Sequence, residues 1–178
     1  MNTAYISLGS NIGDSLDYLD EALRRVAALP GVQVAAVSGR YRTEPQDDKN
    51  QPWFVNQAAA LYTGLAPLDL LKALQGVESA LGRVREQGRR FGPRSIDLDI
   101  LVYETPEGET PGAQGQGAGL ALSLPELVLP HPRFRQRAFV LVPLREIAGK
   151  TSPKLLAEIQ DALDKLDYRL EGDQIFQA

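Results

Sequence analysis

Apolar residues between positions 3 and 103 change repeatedly between the period of a strand and the spacing of a helix. The predicted strands lie at 3–8, 32–41, 53–62 and 95–103, and the predicted helices at 14–30 and 67–82. The order βαββαβ is that of an α+β, ferredoxin-like sandwich, in which helices pack on one face of an antiparallel sheet. We therefore expect this architecture for the first part of the chain.

The rest of the chain is predicted to add to this core rather than to form a second one. Residues 104–122 are rich in Gly, Pro, Glu and Gln and have almost nothing to bury, which predicts a flexible insert. Apolar character returns at 138–147, and residues 153–166 have helical spacing, so we expect C-terminal additions. With 178 residues and 43% hydrophobic composition, the chain 1–178 is predicted to be a single domain.

Composition argues against several classes of function. No apolar run is long enough to cross a bilayer, and no basic and apolar leader follows Met1, so we expect a cytoplasmic protein without a membrane partner. A net charge of -4 and a pI of about 5.1 argue against nucleic acid as a partner. The chain has no cysteine, so any metal must be held by oxygen ligands or by the single histidine, His131.

Two short segments are rich in arginine although the chain as a whole is acidic. Five arginines lie between Arg83 and Arg94, and three lie between Arg133 and Arg137. The guanidinium group binds phosphate through two hydrogen bonds and keeps its charge when partly dehydrated, so these segments predict a small bound polyanion. Two solvated surface segments are the alternative interpretation.

Asp97 and Asp99 lie in the clearest predicted strand, where they alternate with Ile96, Leu98, Ile100 and Val102. Both carboxylates are expected on one face, roughly 6.6 Å apart at the backbone. Mg²⁺ would turn their repulsion into attraction, whereas an ordinary solvent-facing strand is the alternative. The arginine-rich segment 89–94 comes directly before the pair, and arginine together with Mg²⁺ indicates phosphoryl-type transfer.

Two further features allow both a functional and a structural interpretation. His131 lies between Pro130 and Pro132, where it could donate a hydrogen bond to a phosphate or could be an ordinary loop histidine. Phe54 and Asn56 are two apart on a predicted strand, so a ring and an amide share one face. Such a pair suits a flat heterocycle, although packing is the commoner reason for it.

The chain resembles the 6-hydroxymethyl-7,8-dihydropterin pyrophosphokinase family. The resemblance covers residues 4–147 and is carried by the segments 5–11 (YISLGSN), 42–45 (RTEP), 51–56 (QPWFVN), 92–100 (GPRSIDLDI) and 130–131 (PH), in the expected order. It implies transfer of diphosphate from ATP to the hydroxymethyl group of a reduced pterin, with release of AMP, in folate biosynthesis. ATP and the pterin are then the partners, two Mg²⁺ ions are the cofactors, and we expect a monomer or weak dimer.

The same resemblance implies a role for individual residues. Asp97 and Asp99 would bind the metals, and Arg83 and Arg94 would be catalytic. The implied ATP contacts are Gln75, Glu78, Arg85, Arg94, Ile100, His131 and Arg137. The implied pterin contacts are Asn11, Thr43, Pro45, Phe54, Asn56, Phe91 and Phe139. Loops 9–13, 44–52 and 86–91 would be lids that exclude water.

The sequence departs from the family pattern at two positions in this region, and other functions fit less well. Phe91 stands where many members have tryptophan, and Glu126 where some have a nucleotide-binding arginine.

A glycosyltransferase with an Asp-x-Asp metal site leaves the arginines unexplained, and an RNA-binding sheet should be basic. Loop 9–13 also lacks the Gly-Lys-Ser/Thr ending of a P-loop.

Overall fold

The computed structural model describes residues 1–46, 49–83, 92–106 and 119–177. Within these residues the strands are β1 (Asn2–Ser10), β2 (Val32–Val37), β3 (Tyr41–Thr43), β4 (Phe54–Thr63), β5 (Asp97–Glu104), β6 (Leu122–Ser123), β7 (Val128–Leu129), β8 (Tyr168–Glu171) and β9 (Gln174–Gln177). The helices are α1 (Ser15–Ala27), α2 (Pro67–Ala80), α3 (Ala138–Thr151) and α4 (Pro153–Leu163), and a short 3₁₀ helix spans Phe134–Gln136.

The first two helices begin where local chemistry favours a start. The Asp14 side chain accepts hydrogen bonds from the backbone N–H groups of Leu16 and Asp17, at 3.1 and 3.2 Å, and so caps α1. Pro67 opens α2, where its missing N–H costs no helical hydrogen bond. Both predicted helices are therefore confirmed.

The large sheet has the strand order β5-β1-β4-β3-β9-β8, and β2 also pairs with β4. All pairings are antiparallel except that of β3 with β9. Because β1 runs antiparallel to both of its neighbours, the end of β1 lies beside the starts of β4 and β5: Gly9 is opposite Asn56 on one side and Asp97 on the other. This corner of the sheet therefore brings together the segments predicted to carry chemistry.

The predicted second strand, 32–41, is two strands in the structure. β2 pairs with the end of β4 and β3 with its start, and the chain leaves the ladder between them. The side chain of Ser38 accepts a hydrogen bond from the backbone N–H of Ala58 at 2.9 Å, and the N–H of Gly39 donates to Glu146 at 2.7 Å. These side-chain partners replace ladder hydrogen bonds, so the apolar pattern overestimated the length of the strand.

Helices cover both faces of the sheet, which corrects the expectation of helices on one face. One buried cluster joins Ile6, Leu8 and Leu61 of the sheet to α1 and α2. A second cluster joins Tyr5, Ala58 and Ala60 to α3 and α4. The alternation of 3–8 predicts a half-buried strand with Ala4, Ile6 and Leu8 on one face and the more polar Thr3, Tyr5 and Ser7 on the other, yet Tyr5 is fully buried.

The alternation predicted for β5 is correct only up to Ile100. The register with β1 shifts there, because Ile100 is opposite Ile6 and Val102 is opposite Tyr5, which leaves Leu101 as an extra residue in a bulge. Val102 consequently packs into the cluster under α3 and α4, whereas Leu98 and Ile100 face α1 and α2. The prediction that Val102 shares their face is wrong for this reason.

The end of the predicted 104–122 insert is ordered, while residues 107–118 lie outside the described part of the chain. The N–H of Leu120 donates to the carbonyl of Tyr103 at 2.6 Å, and β6 pairs with β7. Gly119 has a positive φ of 90°, and an added Cβ would lie 2.7 Å from Val102 and 2.9 Å from the Tyr103 carbonyl, so only glycine fits this return. The hairpin of β8 and β9 was not predicted from the sequence.

Among the residues described, no helix is both long and apolar enough to span a membrane.

Candidate active site

A cavity of about 550 Å³ opens at the corner where β1 ends and β4 and β5 begin. This volume is in the range of small-molecule sites. The structure brings most of the predicted site residues to its wall: Thr43, Phe54, Asn56, Gln75, Arg83, Arg94, Asp97, Asp99, Ile100, His131, Arg137 and Phe139. Residues more than 90 positions apart in the chain thus share one cavity because the antiparallel register places their strand ends together.

Asp97 lies between two arginines at the start of β5. The guanidinium group of Arg83 donates to the carboxylate of Asp97 and also to that of Glu78. Nε of Arg94 lies 3.0 Å from the other Asp97 oxygen, in a geometry that makes an ion pair rather than a hydrogen bond. Both predicted catalytic arginines therefore contact a predicted metal ligand.

Asp99 lies deeper in the same wall, two residues along β5. Burial, together with the charge of Asp97, raises the pKa of Asp99 to about 7. A carboxylate with this pKa is poorly hydrated and close to a like charge, so a bound cation would stabilise its ionised form. Magnesium accepts such a small carboxylate set because it keeps water and substrate phosphates as its other ligands.

The donor set can therefore hold a metal that arrives with phosphate, although it is not a complete cage. Within the described residues, no group of three or more His, Cys, Asp and Glu side chains is placed to hold a metal ion. Asp97 and Asp99 supply two carboxylates, and the remaining ligands would have to come from water and the substrate. This is the arrangement expected of a Mg²⁺–nucleotide site rather than of a resident structural metal.

Glu78, predicted to face the nucleotide, is not part of the cavity wall. Its side chain is 2% exposed, and Oε1 accepts a hydrogen bond from the backbone N–H of Leu98 at 2.8 Å as well as one from Arg83. Glu78 therefore joins α2 to β5 and holds Arg83 beside Asp97. Gln75, on the same helix, does line the cavity.

His131 is held with a defined protonation pattern at the opposite wall. The backbone N–H of His131 donates to the backbone carbonyl of Leu101, the bulged residue of β5, at 2.7 Å. The N–H of Arg133 donates to Nδ1 at 3.2 Å, so the ring proton is on Nε2. Burial, with the charges of Arg137 and Arg133, lowers the pKa of His131 to about 4. The imidazole is therefore neutral near pH 7 and offers one N–H donor.

The ring-binding features lie on the β4 side of the cavity. Nδ2 of Asn56 donates to the hydroxyl of Thr43 at 2.7 Å, which fixes the orientation of the amide. Gly9, opposite Asn56, leaves room for it, since a Cβ at Gly9 would lie 3.0 Å from Oδ1 of Asn56. The guanidinium carbon of Arg94 lies 5.2 Å from the centroid of the Phe54 ring. Arg94 thus connects the aromatic side of the cavity to the carboxylate pair.

Asn11 and Pro45, predicted to contact the pterin, do not line the cavity. Nδ2 of Asn11 donates to Oε1 of Gln51 and to the carbonyl of Pro52, both at 3.0 Å, and its Oδ1 accepts from the N–H of Arg94 at 2.9 Å. Asn11 therefore joins three loops behind the wall. Pro45 is buried, and Arg85 and Phe91 lie outside the described residues.

The sequence interpretation missed the apolar part of the wall. Leu71, Leu127 and Val128 line the cavity, and Val128 is 40% exposed. Leu71 lies one helical turn before Gln75, so their shared face was detectable from the spacing. The short strand that carries Val128 gave no comparable signal.

The carboxylate pair, the arginines and a neutral histidine donor around one cavity suit phosphoryl-type transfer from a nucleotide. Comparisons with known proteins make the class specific. The family model described as 7,8-dihydro-6-hydroxymethylpterin-pyrophosphokinase (HPPK) matches residues 5–149. The chain belongs to this family.

Curated relatives agree with this assignment over nearly their whole length. The chain is 48% identical over 170 residues to the 2-amino-4-hydroxy-6-hydroxymethyldihydropteridine pyrophosphokinase of Methylorubrum extorquens, covering 94% of this chain and 95% of the relative. It is 42% identical over 160 residues to the protein of that name in Pseudomonas aeruginosa, covering 86% and 89%.

A solved structure described as HPPK-DHPS in complex with substrates shares the fold, with a TM-score of 0.59 at 12% identity. The match covers 99% of this chain and 48% of that chain.

Proposed function

We propose that the chain carries out the pyrophosphoryl transfer of its family with Mg²⁺ held between Asp97, Asp99 and the phosphates of ATP. The reaction joins the β- and γ-phosphates of ATP to the hydroxymethyl oxygen of 6-hydroxymethyl-7,8-dihydropterin and releases AMP, in folate biosynthesis. The observation that carries the metal part is geometric: Asp97 and Asp99 line one cavity beside the arginines, and burial with the charge of Asp97 raises the pKa of Asp99, so a cation there would stabilise the ionised pair. When bound, Mg²⁺ would neutralise phosphate charge and lower the pKa of a coordinated hydroxyl.

The arginines and His131 supply the rest of the charge stabilisation in this proposal. Arg83 is fixed by Glu78 and Asp97, so its guanidinium group is oriented before substrate arrives. Arg94, Arg137 and neutral His131 line the same cavity and would donate hydrogen bonds to phosphate oxygens as charge shifts in the transition state. No side chain has to act as a strong base.

The pterin is proposed to occupy the aromatic side of the cavity. Phe54 and Phe139 both line it and would stack on the flat ring, while Asn56, held by Thr43, would bind the ring edge. Arg94 contacts both Phe54 and Asp97, so a ring bound there would have its hydroxymethyl group close to the carboxylate pair. This adjacency supports an in-line transfer without large movement of either substrate.

Two finer statements about the protein belong to the same proposal. The order β5-β1-β4, with β2 and β3 on the far side of β4, supports a ferredoxin-like core to which α3, α4 and the last hairpin are added. We also propose a cytoplasmic location, because the reaction consumes ATP.

The test is product analysis with ATP, Mg²⁺ and 6-hydroxymethyl-7,8-dihydropterin. AMP and the pterin diphosphate are expected from the wild type, and neither from Asp97→Ala. Asp161→Asn, an exposed carboxylate on α4, is the control and should retain full activity. Formation of ADP in place of AMP would contradict the proposed reaction, and turnover that survives chelation of Mg²⁺ would contradict the metal site.

A further inference from the structure

The C-terminal hairpin of β8 and β9 lies beside β3 and outside the matched family region, which ends at residue 149. β9 pairs in parallel with β3, and the N–H of Arg42 donates to the carbonyl of Asp173 at 2.7 Å. Ile175 is 2% exposed and belongs to the core under α3 and α4. The hairpin is therefore an integral part of the sheet next to the strand that carries Thr43.

Gln177, at the end of this hairpin, makes two hydrogen bonds at the start of α3. Its Oε1 accepts from the backbone N–H of Ala138 at 2.7 Å, and its Nε2 donates to the carbonyl of Gln136 at 2.8 Å. Ala138 is the first residue of α3, where backbone N–H groups have no partner within the helix. The preceding residue, Arg137, makes no side-chain cap, so Gln177 provides the cap from a distant part of the chain.

The two residues that these bonds constrain most directly both line the cavity. Arg137 lies between the two bonded residues, Gln136 and Ala138, and Phe139 follows directly. The guanidinium carbon of Arg137 lies 5.6 Å from the centroid of the Phe139 ring, so the two side chains are neighbours in the cavity wall. A change in the direction of the first turn of α3 would therefore displace both of them.

We propose that Gln177 is a positioning residue, which fixes the first turn of α3 and so holds Arg137 and Phe139 in place for substrate. This role rests on the proposed function, in which Phe139 binds the pterin and Arg137 the ATP phosphates. The amide suits both bonds because it offers an acceptor to Ala138 and a donor to Gln136. Methionine has a similar shape but cannot replace these bonds, whereas glutamate keeps the acceptor.

Steady-state kinetics of Gln177→Met and Gln177→Glu test the role. Gln177→Met should raise KM for both substrates roughly three- to tenfold, the size of effect expected for a lost helix cap, with kcat within about twofold of wild type. Gln177→Glu keeps the acceptor for Ala138 but loses the donor to the Gln136 carbonyl, so its KM should lie between those of the wild type and Gln177→Met. Gln174→Met is the matched control, because Gln174 lies on the same strand opposite Arg42 of β3 and makes neither of the two bonds of Gln177, so KM is expected to stay unchanged.

Hydrogen exchange at the Ala138 amide provides a readout that does not depend on activity. Exchange should accelerate in Gln177→Met and remain slow in Gln177→Glu and in Gln174→Met. Unchanged KM in Gln177→Met, or equal increases in Gln177→Met and Gln174→Met, would overturn the proposal.

If Gln177→Met fails to fold, Gln177→Asn takes its place. Its shorter amide cannot span both contacts, and an unchanged KM would again overturn the role. Absence of turnover in the wild type would instead refute the proposed function, and the positioning role with it.

Discussion

Replacement of Glu78 by alanine distinguishes a structural role, in which Glu78 holds Arg83 from behind the cavity wall, from direct contact with the nucleotide. The change removes the acceptor for the Leu98 N–H and one of the two carboxylates that hold Arg83. The side chains of Glu78 and Arg83 are only 2% and 14% exposed, so solvent cannot compensate. Breaking a buried ion pair on one side costs about 3–5 kcal/mol of unfolding free energy.

Denaturation experiments measure the loss of unfolding free energy in Glu78→Ala, and steady-state kinetics measure its effect on kcat and KM. A loss of about 3 kcal/mol should lower Tm by roughly 6–12 °C for a chain of this size. Below the new Tm, kcat should fall because Arg83 is less well oriented, while KM for ATP should change little because Glu78 does not line the cavity. Glu21→Ala is the matched control: Glu21 also binds two arginines, but at the surface, where solvent screens the ion pairs and the loss of unfolding free energy should be much smaller than for Glu78→Ala.

A change in KM for ATP without a loss of stability would contradict the structural role of Glu78. If Glu78→Ala raised KM for ATP strongly and left the unfolding free energy unchanged, Glu78 would contact the nucleotide, as the family resemblance implies.

Three further outcomes are expected. Asp99→Asn should stabilise the substrate-free protein at pH 8 but hardly at pH 4. The pKa of Asp99 is raised from 3.8 to about 7 in the folded state, so the wild type loses stability as the pH rises from about 4 to 7, and the loss is complete above pH 7. Thermal melts of Asp99→Asn should also lose any response to Mg²⁺ with ATP. The pKa of His131 is about 4 in the folded state, below its unfolded value, so the wild type should lose stability on acidification from about pH 6.5 to 4, and His131→Gln should lose less. Urea unfolding across this pH range is the measurement, and an equal loss of stability in both proteins would contradict the prediction. Gly9→Ala should displace the Asn56 amide and weaken pterin binding roughly tenfold, with the affinity for ATP unchanged. Titration calorimetry with each substrate measures both affinities, and an unchanged pterin affinity would contradict the prediction.

Much of the site could be predicted because its residues lie in short segments with strong local signals. The alternation through Asp97 and Asp99 placed both carboxylates on one face, and the structure confirms that both line the cavity. The same reasoning could not show that Glu78 and Asn11 lie behind the wall. Their positions depend on partners far along the chain, Leu98 for Glu78 and Arg94 for Asn11, which periodicity does not reveal.

The fold was predicted less completely because burial on two faces removes the signal of alternation. Tyr5 is apolar enough to pack under α3 and α4 and yet occupies a position that a half-buried strand would leave polar. The last hairpin has little apolar character, and only Ile175 of its strands is fully buried, so a pattern search finds no strand there. Its stability comes from pairing with β3 and from the bonds of Gln177.

The bulge at Leu101 shows how one irregularity in a strand can organise both walls of the site. Before the bulge, β5 directs Asp97 and Asp99 into the cavity and Leu98 and Ile100 towards α1 and α2, and after it the strand directs Val102 into the core under α3 and α4. The extra residue leaves the carbonyl of Leu101 outside the ladder with β1, and this carbonyl accepts the N–H of His131. The distance between the carboxylate pair and the histidine donor is therefore set by the backbone of a single strand.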